Sequence, residues 1–139
     1  MITLEHANLT VRDLERALRF ILAALPHWRV RGGGTMDWAG RPIRWLHVGD
    51  EHQYLALQSG GEGAAPDWQG HATGVKHLGF IVPDVDAVVA RLQAAGFALD
   101  HWGGRTELRR SAYWVDEDGL QFEFVEYATG PLARRLEYA

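Results

Sequence analysis

One pattern occurs twice in this chain, and it dictates most of what the chain can become. The first copy reads His6-Ala7-Asn8-Leu9-Thr10-Val11-Arg12-Asp13 and the second reads His77-Leu78-Gly79-Phe80-Ile81-Val82-Pro83-Asp84. Each copy opens on a histidine, alternates like a half-buried strand, and closes on an aspartate suited to cap a helix. His77 follows His6 by 71 residues in a chain of 139, so the offset is about half the length. A strand and helix repeated at half-length imply two copies of one module. A histidine repeated at the strand start suggests a metal site shared between the halves.

The segments that follow each copy repeat as well. After Asp13, the residues Leu14, Ala17, Leu18, Ile21, Leu22 and Leu25 recur at helical spacing, and Pro26 stops the helix. After Asp84, Val85, Val88, Val89, Leu92 and Ala95 do the same, and Gly96 ends the run. In the first half, 28–31 and 36–38 read as short extended pieces around Gly32-Gly33-Gly34, which lacks the context of a phosphate loop and reads as a flexible connection. Residues 43–48 and 53–58 then form a hairpin across Gly49-Asp50-Glu51. In the second half, 97–102 reads as a strand, and 110–115 and 120–127 flank the turn Asp116-Glu117-Asp118-Gly119. The aperiodic, Gly- and Ala-rich stretch 59–73 is the natural linker. Residues 130–139 form a tail with room for a short helix.

The predicted fold class is therefore α+β: two βαβββ modules, residues 1–60 and 74–128, within one domain of residues 1–139. A half-sheet with one helix cannot cover both of its faces. Two such modules pair, within a chain or across a dimer, and a curled mixed sheet around a shared cavity results.

Composition narrows the chemistry. The chain has no cysteine, which removes disulfides, thiolate metal sites and thiol nucleophiles. Any metal must be held by histidine, carboxylate or amide. The net charge of −4 and the lack of a basic run argue against nucleic-acid binding. No apolar run approaches the ~20 residues needed to cross a bilayer, and Met1-Ile2-Thr3-Leu4-Glu5 has no signal-peptide character, so the expected location is cytoplasmic.

One carboxylate stands out. Phe122-Glu123-Phe124 occupies, in the last strand of the second half, the place of Leu55-Ala56-Leu57 in the first. A carboxylate between two aromatics in a buried strand is costly unless something neutralises it. A divalent cation would do so. Two histidines and one carboxylate converging from three strands make a facial triad with positions left open for water and substrate.

At this point the chain resembles the vicinal oxygen chelate superfamily, which holds glyoxalase I, fosfomycin-resistance proteins, extradiol dioxygenases, methylmalonyl-CoA epimerase and bleomycin-resistance proteins. The matching segments are His6…Val11-Arg12-Asp13-Leu14-Glu15-Arg16-Ala17, His77…Val82-Pro83-Asp84-Val85, and Asp116-Glu117-Asp118-Gly119-Leu120-Gln121-Phe122-Glu123-Phe124, where Glu117 replaces the family's usual proline. The resemblance covers nearly the whole chain. It implies His6, His77 and Glu123 as ligands of a divalent ion (Zn, Mn, Fe, Co or Ni), a homodimer, and a small-molecule substrate. It departs from glyoxalase I at Ala56, where that enzyme supplies a second glutamate. Gln58 lies two residues on and would substitute only if a bulge shifted the register.

A three-ligand site is more similar to the fosfomycin-resistance proteins or the extradiol dioxygenases. Ser111 and Tyr113 precede Glu123 at spacings where the fosfomycin proteins place substrate-binding hydroxyls, although their phosphonate-binding lysine and potassium loop have no clear match. Arg105, Arg109 and Arg110 offer anion contacts. His101 and Tyr113 match by type alone the further histidine and tyrosine of ring-cleaving dioxygenases.

Two function classes follow. The first is a metal-dependent lyase, isomerase or fosfomycin-type transferase or hydrolase, with a dioxygenase behind them. Tyr113 is its catalytic candidate, and Ser111, Tyr54 and Gln58 its substrate-binding candidates. The second is a metal-free binder of the bleomycin-resistance type with an aromatic groove. On composition and position alone, Trp45 and Trp114 read as core, His27, His47, His52 and His71 as solvated loop residues, His101 as structural, and Gln121 as a cavity-lining or packing residue.

Overall fold

The computed structural model describes residues 1–128 and 132–138. They fall into two compact units, Met1–Gly63 and Ala64–Ala139. The first contains β1 (His6–Thr10), α1 (Leu14–Ala24), β2 (Arg29–Trp38), β3 (Arg41–Gly49) and β4 (Tyr54–Gln58). The second contains β5 (His77–Ile81), α2 (Val85–Ala94), β6 (His101–Trp102), β7 (Arg109–Val115) and β8 (Gln121–Tyr127). A 3-10 helix, Leu132–Leu136, follows. The fold is α+β, with two βαβββ modules that each carry a four-stranded mixed sheet.

The sheet orders are the same, β1-β4-β3-β2 and β5-β8-β7-β6. First and last strands run parallel as neighbours, and the other pairings are antiparallel. This order sets the strand that opens on a histidine beside the strand that closes the module. Each module thereby brings residues far apart in sequence onto one sheet face.

The helix starts follow from the aspartates. Asp13 accepts a hydrogen bond from the Arg16 N–H, and Asp84 accepts one from the Ala87 N–H, both at 3.0 Å. Each cap satisfies one of the amide groups left free in a first helical turn, worth about 1 kcal/mol. Behind them α1 buries Leu14, Ala17, Phe20, Ile21 and Ala24, and α2 buries Val85, Val88 and Leu92. Leu18 and Leu22 are only half-buried, so the buried stripe of α1 is turned toward Phe20 and Ala24 relative to the sequence reading. On the sheets, Val48, Leu55, Leu57, Trp114, Phe122 and Phe124 are buried. Full burial of one such side chain contributes about 1.5–3 kcal/mol.

Several expected boundaries move. The glycine run is not a flexible connection: β2 passes through it as one strand paired with β3, with a bulge between Val30 and Gly32. Trp45 on β3 bears on two of the three missing side chains, since a Cβ on Gly32 would meet nothing within 4 Å. A Cβ on Gly33 would lie 2.7 Å from the Trp45 carbonyl oxygen, and one on Gly34 would meet the indole at 3.4 Å. Trp45 itself is half-buried rather than core, whereas Trp114 is core. The strand expected over 97–102 contracts to β6, and the first strand begins at His6 as read. The turn at 116–119 forms as read: the Asp116 carboxylate accepts from the N–H groups of Asp118 and Leu120, and Gly119 takes a positive φ of 81°. Among the described residues, no helix is long and apolar enough to cross a membrane.

Candidate functional site

The second module gathers the residues with chemical potential. On β8, Glu123 pairs in register with Gly79 of β5 on one side and Tyr113 of β7 on the other. Its side chain is 8% exposed, yet its partners are polar. The Tyr113 hydroxyl donates to Oε2, the Arg109 guanidinium lies 3.6 Å from Oε2, and His77 Nε2 lies 3.7 Å from Oε1. Alternation explains the meeting, since residues 109, 111 and 113 share one face of β7. Glycine at 79 leaves room beside the carboxylate; a Cβ there would stand 3.5 Å from Oε1.

Tyr113 is also the middle of an aromatic assembly. His101 stacks on it at 4.6 Å with 3° between planes, and Trp68 stacks on His101 at 5.1 Å and 13°. His77 meets the Tyr113 ring edge-on at 5.6 Å. The Asp100 carboxylate anchors His101, with Oδ2 at 2.6 Å from Nδ1. Burial, then donation to Glu123, pushes the Tyr113 phenol above its ordinary pKa, against a smaller opposing effect of a Ser111 hydrogen bond. The hydroxyl is therefore held protonated. Ser111 is buried beneath the ring, and the β6 turn fits around both: a Cβ on Gly103 would collide with Ser111 Oγ and come within 2.8 Å of Tyr113 Cε2.

Part of this assembly lines a cavity of about 440 Å³, with Trp68, Lys76, His77, His101, Tyr113 and Gln121 in its walls. Sequence reading missed Trp68 and Lys76. Trp68 was detectable as a lone aromatic in an otherwise polar, aperiodic stretch. Lys76 carried no signal beyond its place before His77. Arg109 was recognised only as an anion contact; here it stands beside Glu123.

The first module arranges the equivalent face differently. His6 stacks on Tyr54 at 4.7 Å, Tyr54 stacks on His47 at 4.4 Å, and the Arg31 guanidinium lies 4.3 Å from the Tyr54 ring centre. His6 is 45% exposed and its Nδ1 is 2.9 Å from Glu5 Oε1. His47 is thus a strand residue within a stack, not a solvated loop histidine. Gln58 is buried and accepts a hydrogen bond from the Asn8 amide at 2.7 Å. β4 pairs on both sides without a register shift, so no bulge carries Gln58 toward the place of Ala56.

The donor chemistry suits a divalent ion in part. Two ligand atoms at about 2.1 Å from one tetrahedral ion stand about 3.4 Å apart, close to the 3.7 Å between His77 Nε2 and Glu123 Oε1. Within either module by itself, no three His, Asp or Glu side chains are gathered among the described residues. The second module therefore offers a bidentate histidine–carboxylate pair beside a phenol and a cavity.

Two βαβββ modules of one strand order, the second with a histidine and a glutamate on adjacent strands, make the fold glyoxalase-like. The model of the Glyoxalase/Bleomycin resistance protein/Dioxygenase superfamily matches residues 5–114, and the chain belongs to that superfamily. No curated protein matches it. Among solved structures, a glyoxalase family protein from Bacillus cereus is 19% identical with a TM-score of 0.74, over 93% of this chain and 96% of its own. The fosfomycin resistance protein FosX from Mesorhizobium loti is 26% identical with a TM-score of 0.68, over 98% of each chain. A mutant of FosX from Listeria monocytogenes, complexed with Mn(II) and 1S,2S-dihydroxypropylphosphonic acid, is 23% identical with a TM-score of 0.69, over 99% of this chain and 100% of its own.

Proposed function

We propose that this protein is a divalent-metal-dependent enzyme acting on a small substrate with two neighbouring oxygens, as a lyase, isomerase or fosfomycin-type transferase or hydrolase. The observation that carries the reading is the buried Glu123 carboxylate, with the His77 imidazole 3.7 Å from one oxygen and the Tyr113 hydroxyl on the other. His77 and Glu123 hold the ion, and His6, the matching residue of the first module, completes the set in one chain or across a homodimer. The bound ion supplies Lewis-acid polarisation and stabilises negative charge developing on oxygen. Tyr113 holds a proton at its Oη, raised in pKa by burial, and would give it or a hydrogen bond to substrate by turning the O–H away from Glu123 Oε2. Stacked His101 and buried Ser111 fix the ring, so the hydroxyl oxygen keeps its position while its O–H is free to turn. The Mn(II) complex of the Listeria protein supports a divalent ion on this fold.

The test is turnover of an epoxide, with and without an added thiol, and of a hemithioacetal, with metal, after chelation, and after metal is restored. The reading expects activity lost on chelation and regained with metal, and Tyr113→Phe lowering kcat about 10²–10⁴-fold. Activity indifferent to chelation would overturn it.

A metal-free binder is the second reading, favoured by one observation: Tyr113 and Arg109 already surround the Glu123 carboxylate within its own module. It expects ligand affinity unchanged by exhaustive chelation.

A further inference from the structure

Gln121 opens β8 directly across from His77, two residues before Glu123 and on the same sheet face. It is 5% exposed and lines the cavity with Lys76, Trp68 and Tyr113. Its Nε2 is buried without a hydrogen-bond partner. A buried amide donor left unpaired costs about 1–3 kcal/mol, and native proteins rarely leave one so. The equivalent position of the first module, Tyr54 across from His6, carries an aromatic ring instead. The amide is therefore no requirement of the shared frame.

The surroundings define what would satisfy it. Lys76 brings a positive charge to the same cavity; its ammonium donates to the carbonyl oxygens of Trp68, at 3.0 Å, and Gly70. An ammonium has three donors, so one remains. Trp68, His101 and Tyr113 stack face to face, and the column they form gives the cavity an aromatic wall. An unpaired amide, a cation with a spare donor and an aromatic wall together suit a planar ring bearing an anionic oxygen.

We infer that Gln121 is a ligand-recognition residue, whose carboxamide turns its N–H to an oxygen of an aromatic carboxylate held in the Lys76–Trp68–Tyr113 cavity. This rests on the proposed function for the location of the reacting oxygens, but not for the binding itself. In the ligand-free protein the Nε2 donor is buried and unpaired. On ligand binding it gains a charge-assisted hydrogen bond.

The experiment follows the Gln121 side-chain NH2 resonances by 15N NMR while benzoate is titrated into the metal-loaded and the metal-free protein. Benzamide, neutral but of the same shape, serves as the comparison probe. A saturable shift of the Gln121 NH2 signals is expected, with benzoate binding more tightly than benzamide. Gln121→Met should weaken benzoate at least about tenfold, the loss of one hydrogen bond to a charged group, while the melting temperature holds or rises. Gln121→Glu, which sets a carboxylate against the ligand's own, should weaken it further. No shift of the Gln121 signals at millimolar benzoate would overturn the inference, and that result needs no variant to fold. Unchanged benzoate affinity in Gln121→Met, with a lowered melting temperature, would make the residue structural and overturn it equally. Metal uptake separates the two claims. A protein that takes up no Zn(II) but binds benzoate through Gln121 loses the enzyme reading and keeps this one. A protein that takes up Zn(II) without any Gln121 dependence does the reverse.

Discussion

The two modules share a register but not a chemistry. Ala56 and Glu123 hold the same place: each pairs across one strand with the residue two beyond the opening histidine, and across the other with a ring, His47 or Tyr113. Where the carboxylate is present, its neighbour on β5 is Gly79, its cross-strand partner carries a hydroxyl, and Arg109 stands near. Where it is absent, Asn8 turns instead to Gln58, and rings fill the face. A buried charge needs a whole environment, so it arises only where several neighbours have changed together. The duplicated frame thus keeps the strand order and the histidine in both halves, while one half specialises around its carboxylate.

The comparison can be broken by substitution, taking the largest effects first. Glu123→Ala should cut divalent-metal affinity by more than about a hundredfold, because loss even of an outer partner of a metal ligand costs 10–100-fold; equilibrium dialysis with Zn(II) measures this. Tyr113→Phe removes the donor to Glu123 Oε2 and should cost about 1.5–3 kcal/mol in urea unfolding, the range for a hydrogen bond to a charged group. Gly103→Ala forces a Cβ against Ser111 and Tyr113 and should cost about 1–3 kcal/mol. Its counterpart Gly34→Ala, which meets only the Trp45 ring at ordinary contact distance, should stay within about 0.5 kcal/mol. Equal losses at Gly103 and Gly34 would mean that the second module is no more tightly built around its ring than the first.

The smallest effect is a pH dependence carried by His47 in the first module. Burial first, then the charges of Arg31 and His6, holds His47 below the ordinary histidine pKa. The folded state therefore binds fewer protons there than the unfolded chain. Its stability contribution is intact above the unfolded value of about 6.5 and is lost as pH falls from there through the lower folded value. Urea midpoints at pH 8 and pH 5 should fall further apart in the wild type than in His47→Phe. Tyr113, in the matching place, gives the second module no such dependence in that range, since its pKa moves upward.

Much of this was legible in the sequence. The repeat at 6 and 77 and the two aspartate caps fixed the strand–helix order, because capping and alternation are local. Glu123 was legible as a carboxylate out of place in an apolar strand. The glycine run was misjudged because its strand pairing depends on Trp45, a residue across the sheet. His47 was assigned to a loop because its stacking partners, Tyr54 and Trp45, meet it only after pairing. Trp68 and His101 come together from a linker and a two-residue strand, where no period exists to read. Contacts made across strands escape a reading that runs along them.

The central claim is that the carboxylate of Glu123, and not the ring of His47 in the register of its partner Tyr113, is needed for the metal site. Isothermal titration of Zn(II) into wild type, Glu123→Ala and His47→Ala tests it most directly. The account predicts about one ion bound per chain in wild type and in His47→Ala, and none in Glu123→Ala. Retained binding in Glu123→Ala, or binding lost in His47→Ala, would contradict it.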